Sequence, residues 1–158
     1  SAQASFEILA RKELGQMPEF FEVKRYKVTV ERRKNKYDRM VSLSEAVVVV
    51  KVDGDKKLSV SESMDEAGCD RGPVNALARA LAKDLGPYQD QIADMHLVDF
   101  KVRITQGGTE AVTRVIIDSQ DSAGRRWSTV GVSPNIVDAS FEALLDAINW
   151  KLLYEGAE

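Results

Sequence analysis

The residue types that most often carry catalysis or bind metals are scarce in this chain. His96 is the only histidine and Cys69 the only cysteine among 158 residues. A Ser-His-Asp triad or a multi-histidine metal site needs partners that a single histidine does not have. The carboxylate pair Asp118 and Asp121 lies near a strand end, where turn formation is the simpler interpretation. The sequence therefore predicts no catalytic residue and no metal ligand.

Two proline-containing helix starts suggest a different chemistry, the binding of a carboxylate. A helix N-terminus presents free backbone N–H groups and a partial positive charge, which suits an anion. At Gly72-Pro73 the donors would be the N–H groups of Val74 and Asn75, and Gly72 would permit close approach of the backbone. Ordinary helix capping explains the same pattern. At the second start, Ser133-Pro134, we expect Ser133 to be the N-cap.

A strand that mixes aliphatic, aromatic and acidic residues could supply the rest of such a site. Within 95–105, strict alternation would put Leu97 and Asp99 on one face and Phe100 and Ile104 on the other. A small apolar amino acid needs donors for its carboxylate, an acceptor for its ammonium group and an apolar pocket. The strand and the helix starts together suggest amino-acid binding.

These residues belong to a strand–strand–strand–helix pattern that occurs twice. In the first copy, strands are predicted at 21–31, 44–53 and 57–63, and a helix at 73–85. In the second copy, strands are predicted at 95–105, 110–119 and 126–133, and a helix from Pro134 to a stop at Gly156. The copies are offset by roughly 70–75 residues. The pattern predicts an α+β fold of two βββα repeats related by pseudo-twofold symmetry.

Details of the first copy carry further expectations. The valine run at 47–50 predicts a strand buried on much of both faces. The polar stretch 32–39 is interpreted as a loop or the end of a hairpin. It lies in a basic first third with interleaved tyrosines, so a nucleic-acid-binding module using Arg32 and Arg33 stays open as an alternative.

The opening of the chain predicts a short amphipathic helix over 4–14, with Phe6, Leu9, Ala10 and Leu14 at helical spacing. Two interpretations stay open: residues 1–20 are the tail of an upstream linker, or this helix packs on the domain that follows. We place that domain at 21–158, with its modules at 21–88 and 95–156.

Composition narrows the class of protein. A net charge of −3 and 44% hydrophobic residues are typical of a globular chain without a general attraction to nucleic acid or membranes. The lone cysteine favours a reducing, cytoplasmic setting. No apolar run reaches the roughly 18–20 residues that span a bilayer.

Several ordered motifs, which together cover essentially the whole chain, resemble a known family. They are GPVNALARAL, HLVDFKVRI, GGTEAVTRVII and RRWSTVGVSPNIVDASFEALLDAINWKLL. The chain is similar to the C-terminal regulatory domain of the 2-isopropylmalate synthase family, and most similar to its citramalate synthase branch. The opening ASFEIL resembles the end of the linker that precedes this domain in that branch.

The resemblance implies a parent acyltransferase that condenses acetyl-CoA with a 2-keto acid, pyruvate in the citramalate branch. A metal-dependent barrel does that chemistry and is not part of this chain, so we expect no cofactor here. The regulatory domain is expected to form a homodimer and to bind the end-product amino acid near the dimer interface, inhibiting the barrel. Isoleucine is the expected effector and leucine the alternative. A dimerisation module without a ligand is an alternative of another class.

The resemblance also assigns effector-site positions, and Asn75 is added because its backbone N–H is one of the donors at the first helix start. The complete set is Gly72, Pro73, Val74, Asn75, Leu97, Asp99, Phe100, Ile104, Thr109, Ala111, Val132 and Pro134. Two positions depart from the pattern of the family. Arg71 stands where asparagine is common, and Phe100 stands where tyrosine is common, which loses a hydroxyl hydrogen bond. Both departures bear on the identity of the effector.

Overall fold

The computed structural model describes residues 2–65, 72–107 and 110–156. Its elements are α1 (Gln3–Glu13), β1 (Glu22–Lys34), β2 (Met40–Val52), β3 (Asp55–Asp65), α2 (Gly72–Lys83), a 3₁₀ turn (Gly86–Tyr88), α3 (Gln89–Ile92), β4 (His96–Gly107), β5 (Glu110–Gln120), β6 (Arg126–Ser133) and α4 (Ile136–Tyr154). The chain divides into two compact units. We call Phe21–Gln89 the first unit, and Ser1–Phe20 with Asp90–Glu158 the second unit.

Each unit is built on one antiparallel three-stranded sheet followed by a helix. The strand order is β1-β2-β3 in the first unit and β4-β5-β6 in the second. The predicted α+β class and the two βββα repeats are therefore confirmed. The 3₁₀ turn and α3, which connect the two repeats, were not predicted.

In the first unit, α2 packs on β2 and β3. Alternate β2 residues from Ala46 to Val52 form the buried face, and the α2 side chains of Leu77 and Leu81 complete that core. Val47 and Val49, on the other face of β2, are only half-buried. The prediction that this strand is buried on both faces is therefore correct for one face only, because the unit has a single helix to cover its sheet.

The polar stretch 32–39 is the end of a hairpin, as predicted, with 32–34 in β1 and the turn at 35–39. β1 continues to Lys34, and β2 begins at Met40. The turn between them is held by Asn35, whose Oδ1 accepts hydrogen bonds from the backbone N–H groups of Tyr37 and Arg39. A side chain that organises the turn in this way lets the two strands pair almost to their ends.

In the second unit, α4 lies unusually close to β6. The Trp127 indole Nε1–H donates to the Ala147 carbonyl over 3.1 Å, and the Thr129 hydroxyl donates to the Ala143 carbonyl over 2.8 Å. At Gly131, an added Cβ would lie 1.8 Å from the Ala139 carbonyl oxygen. Alternate strand residues thus meet helix residues four apart, and Gly131 is the point where no side chain fits.

The start of α4 differs from the prediction. Asn135, not Ser133, is the N-cap: its side chain accepts from the N–H groups of Val137 and Asp138. The Ser133 hydroxyl instead accepts from Asn135 N–H. Pro134 therefore precedes the cap rather than opening the helix. The predicted stop is consistent with Gly156, which follows the helix with φ of +73°.

Helix α1 packs on α4 and β6, but not through its predicted apolar stripe. Ala4, Ser5 and Ile8 are buried, whereas Phe6 is 74% exposed and Leu9 is also exposed. The predicted stripe was wrong because Ser5 is bonded to its neighbours, which turns the small residues inwards. Its hydroxyl donates to Asp146 Oδ2 over 2.8 Å and accepts from Val130 N–H over 2.9 Å.

The seating of α4 on β6 can be tested at Gly131. We expect Gly131→Ala to destabilise the chain by about 3 kcal/mol, because the helix backbone must move to admit the methyl group. Val112→Ala, at an exposed position of β5, is the control and should cost about 0.5 kcal/mol. Urea unfolding measures both values. A Gly131→Ala variant as stable as the control would show that α4 does not lie this close to β6.

Candidate functional site

In the first unit, the predicted site residues form the beginning of α2. Gly72 and Val74 are buried, and Pro73 and Asn75 are half-buried. A Cβ on Gly72 would lie 3.1 Å from Ser44 Oγ, so the close backbone approach predicted there is made to β2 of the same unit. Because the side chain of Val74 belongs to the core, the described residues of this helix start offer a ligand the backbone donors and Asn75.

In the second unit, a β-bulge changes the predicted alternation of β4. The register shifts between Leu97, which pairs with Ser119, and Asp99, which pairs with Asp118. Residues directly opposite each other in antiparallel strands share a face. Ser119 is buried on the α4 side of the sheet, so Leu97 joins that side. The expectation that Leu97 shares a face with Asp99 was therefore wrong.

The bulge gathers most of the apolar site residues on one face. Phe100 pairs with the buried Ile117, Ile104 with the buried Thr113, and Ala111 with Gln106 two residues beyond Ile104. Together with Leu97 they lie on the α4 side of the sheet, yet Ile104 remains 66% exposed. α4 packs mainly on β5 and β6, and along this stripe Leu97 and Phe100 are half-buried while Ile104 is exposed.

Two predicted site residues lie on the opposite face of the same sheet. Asp99 pairs with Asp118, and it accepts a hydrogen bond from Phe100 N–H and lies 3.7 Å from the Lys101 ammonium. Val132 pairs with Arg114, and its N–H donates to the Glu142 carboxylate. The sheet thus separates both residues from the apolar stripe. Pro134 is exposed beyond the end of β6.

Three residues named above lie outside the described residues. They are the site residue Thr109, Arg71 before the first helix start, and Cys69.

A buried charge cluster, which the sequence did not indicate, joins the C-terminal part of α4 to the segments before β4 and after β5. The side chain of Lys151 is only 2% exposed and its ammonium lies 2.7 Å from Asp121, 2.6 Å from Glu155 and 3.2 Å from Asp94. Asp121 also accepts from the Arg125 side chain and backbone. Its members are spread over 62 positions of the chain, from 94 to 155, so no local motif announces the cluster. The turn role predicted for Asp121 fits its hydrogen bond from Ala123 N–H.

The cluster fixes the charge state of its members. Hydrogen bonds from Ser122, with a further contribution from Lys151, outweigh partial burial and lower the pKa of Asp94 to about 2. The hydrogen bond from Lys151 also lowers the pKa of Asp121 and of Glu155. Burial alone would lower the pKa of Lys151, but its three carboxylate partners raise it. All four groups are therefore charged at neutral pH, which suits a structural role.

Metal-ligand and membrane signals are absent from the part of the chain that the structure describes. No group of three or more His, Cys, Asp or Glu residues there could hold a metal ion. Among the same residues, no helix combines the length and the apolar character required to cross a bilayer.

The fold defines the class of this protein: a duplicated α+β domain whose two modules are each three antiparallel strands and a helix. Comparison with protein families gives a match to the LeuA allosteric (dimerisation) domain over residues 1–152. The chain belongs to this family, and it is therefore a regulatory dimerisation domain.

Relatives of known name agree with that assignment. The (R)-citramalate synthases of Geobacter sulfurreducens and Aquifex aeolicus are 42% and 38% identical, over 96% and 100% of this chain. A 2-isopropylmalate synthase of Clostridium kluyveri is 32% identical over 94% of the chain. The chain covers 27%, 28% and 24% of these three proteins, respectively, and so spans about a quarter of their length.

The charge cluster predicts how stability depends on pH. Because the folded-state pKa of Asp94 lies below its unfolded value of about 3.9, ionised Asp94 stabilises the fold above pH ~4. That stabilisation is lost as the pH falls towards about 2. We therefore expect Asp94→Asn to lower the unfolding midpoint at pH 7, and the difference from the parent chain to shrink towards pH 2. Thermal unfolding at pH 7, 4 and 2.5 measures this, with the exposed Asp90→Asn as control. A difference that is constant with pH would contradict the assignment.

Proposed function

We propose that this chain is the regulatory domain of a citramalate synthase and that it binds isoleucine at or near the interface of a homodimer. The observation that carries the proposal is the partly exposed apolar stripe of β4, in a chain whose relatives at 38–42% identity are named (R)-citramalate synthase. Leu97, Phe100 and Ile104 lie along that stripe. An aliphatic amino-acid side chain would gain about 25 cal/mol for each Å² of apolar surface buried there.

The amino acid also carries two charges that need partners. In the first unit, taken by itself, the backbone donors at the start of α2, beside Asn75, stay the predicted partners of a carboxylate, as helix N-termini are for anions. Of the predicted positions, Asp99 is the one whose side chain carries a negative charge to pair with the ammonium group. Asp99 lies on the face of the sheet opposite to the apolar stripe, however. The structure therefore supports the stripe as the site of the aliphatic side chain more strongly than it supports Asp99 as the partner of the ammonium group.

We propose that catalysis takes place in a longer parent enzyme that contains this domain. The parent enzyme would condense acetyl-CoA with pyruvate on a separate barrel domain that holds a divalent metal ion. Isoleucine bound to this domain would inhibit that barrel. A feedback effect of this kind requires a coupling free energy of only about 1–3 kcal/mol.

Leucine is the second candidate effector, because relatives named 2-isopropylmalate synthase match nearly the same length of this chain. The two amino acids differ in the position of one methyl group. An apolar pocket discriminates such a difference by about 1–3 kcal/mol. A dimerisation module without any ligand is the alternative of another class.

Calorimetry distinguishes these possibilities. We expect isoleucine to give a saturable heat with the purified chain and leucine to bind roughly ten-fold more weakly. Sedimentation of the same sample reports the dimer. Tighter binding of leucine than of isoleucine would instead assign the chain to the 2-isopropylmalate synthase branch. If neither amino acid gave heat at millimolar concentration, a dimerisation module without a ligand would be the remaining interpretation.

Substitutions test which face of β4 holds the effector. We expect Phe100→Ala and Leu97→Ala to weaken isoleucine binding about ten-fold, because each removes apolar surface from the stripe. Phe6→Ala and Leu9→Ala, which remove the same groups from the exposed side of α1, are matched controls. Asp99→Asn should change affinity by less than about two-fold. A ten-fold loss in Asp99→Asn alone would place the ligand on the opposite face.

A further inference from the structure

The free edge of β6 is closed by side chains at two positions and open at a third. On this edge, Val130 N–H donates to Ser5 Oγ over 2.9 Å and Val132 N–H donates to Glu142 Oε2 over 3.1 Å. Backbone groups along a strand alternate between its two edges. Ser128 N–H therefore points to the same free edge as Val130 N–H, and no described side chain accepts from it.

A cleft of about 290 Å³ opens at this third position. Ser128 and Arg126 of β6 form one wall, Glu7 of α1 forms another, and the indoles of Trp127 and Trp150 complete the lining. Its size lies just below the range of about 300–1,000 Å³ that is typical of small-molecule sites. We call it the edge cleft; it lies wholly within the second unit.

The walls of the edge cleft carry opposite charges. The guanidinium of Arg126 is about half exposed, and the described structure gives it a single ion-pair partner, Asp118 at 3.0 Å. The Glu7 carboxylate accepts from the Tyr154 hydroxyl and from Trp150 Nε1–H, the latter over 3.3 Å, and lies 3.6 Å from the Arg11 guanidinium. These two bonds, with the larger contribution from Tyr154, lower the pKa of Glu7 and keep it ionised at neutral pH.

We propose that the edge cleft is a second binding site, for a small molecule that carries both a carboxylate and a protonated amine. Ser128 N–H and Arg126 donate to the carboxylate, and the Glu7 carboxylate accepts from the amine. The bound carboxylate would accept from Ser128 N–H as Ser5 Oγ and the Glu142 carboxylate accept from the outward N–H groups of Val130 and Val132. This site uses none of the residues of the proposed effector site.

Intrinsic fluorescence gives a direct test, because the only two tryptophans of the chain both line the edge cleft. The probes are L-alanine, propionate, which lacks the amine, and ethylamine, which lacks the carboxylate. We expect L-alanine to change the tryptophan emission with a saturable, millimolar response, and each single-charge probe to bind at least about ten-fold more weakly. A response that does not saturate, or equal affinity for all three probes, would overturn the proposal.

Substitutions locate the response. We expect Arg126→Gln and Glu7→Gln to weaken L-alanine binding about ten-fold, and Arg103→Gln and Glu13→Gln, at exposed positions, to leave it unchanged. Because Glu7 also bonds to Trp150 and Tyr154, Arg126→Gln decides the matter if Glu7→Gln does not fold. Wild-type affinity in Arg126→Gln would overturn the proposal.

The two proposed sites can fail separately. Isoleucine heats should be unchanged in Arg126→Gln, and the response to L-alanine should be unchanged in Phe100→Ala. Loss of isoleucine binding in Arg126→Gln would place isoleucine in the edge cleft, which would contradict the proposed effector site and not the cleft. Loss of the L-alanine response in Phe100→Ala, with the fold intact, would contradict the cleft.

Discussion

The second unit depends on how closely α4 can lie on β6. Gly131 admits the Ala139 carbonyl, and the side chains of Thr129 and Trp127 bond to the carbonyls four and eight residues further along the helix. That contact sets both the rotation and the height of α4 over the sheet. Everything else that α4 carries follows from it. Asp146 reaches Ser5 of α1, and Lys151 reaches the turn after β5, only because the helix is held in this one position.

The close packing of α4 on β6 explains most of the long C-terminal motif by which the chain resembles its family. In WSTVGVSPNIVDASFEALLDAI, the tryptophan, the threonine and the glycine face α4, and the alanines four apart face β6. Asn135 caps the helix that these contacts position. The long segment is therefore required by packing, and it identifies the fold with little information about the ligand. Under the proposed function, effector identity depends instead on β4, where Leu97, Phe100 and Ile104 share a face.

Local sequence patterns predicted the helices and strands. Contacts between residues far apart in the chain determined which side chains face inwards, and local patterns could not predict these. The alternation of valines and the helical stripes gave both βββα modules, and β6 was predicted residue for residue at 126–133. The bulge after Leu97 has no local signal, and it moved that side chain to the other face. The inward face of α1 was wrong for a similar reason, because the Ser5 partners Val130 and Asp146 lie more than 120 positions away. A hydrogen-bonded serine there outweighed a more apolar stripe.

The architecture itself leaves a surface to be filled. Strands lie about 4.8 Å apart, and a helix with its side chains is about 10 Å wide, so one helix covers about two strands of three. α4 accordingly packs on β5 and β6, and α2 mainly on β2 and β3. The first strand of each module keeps an open apolar stripe, which includes Val30 at 54% exposure on β1 and Ile104 on β4. A lone βββα module cannot bury this stripe with its own helix. A domain built from such modules therefore presents apolar surface that a second subunit or a small apolar ligand can cover, and an allosteric dimerisation domain has a physical reason to use this fold.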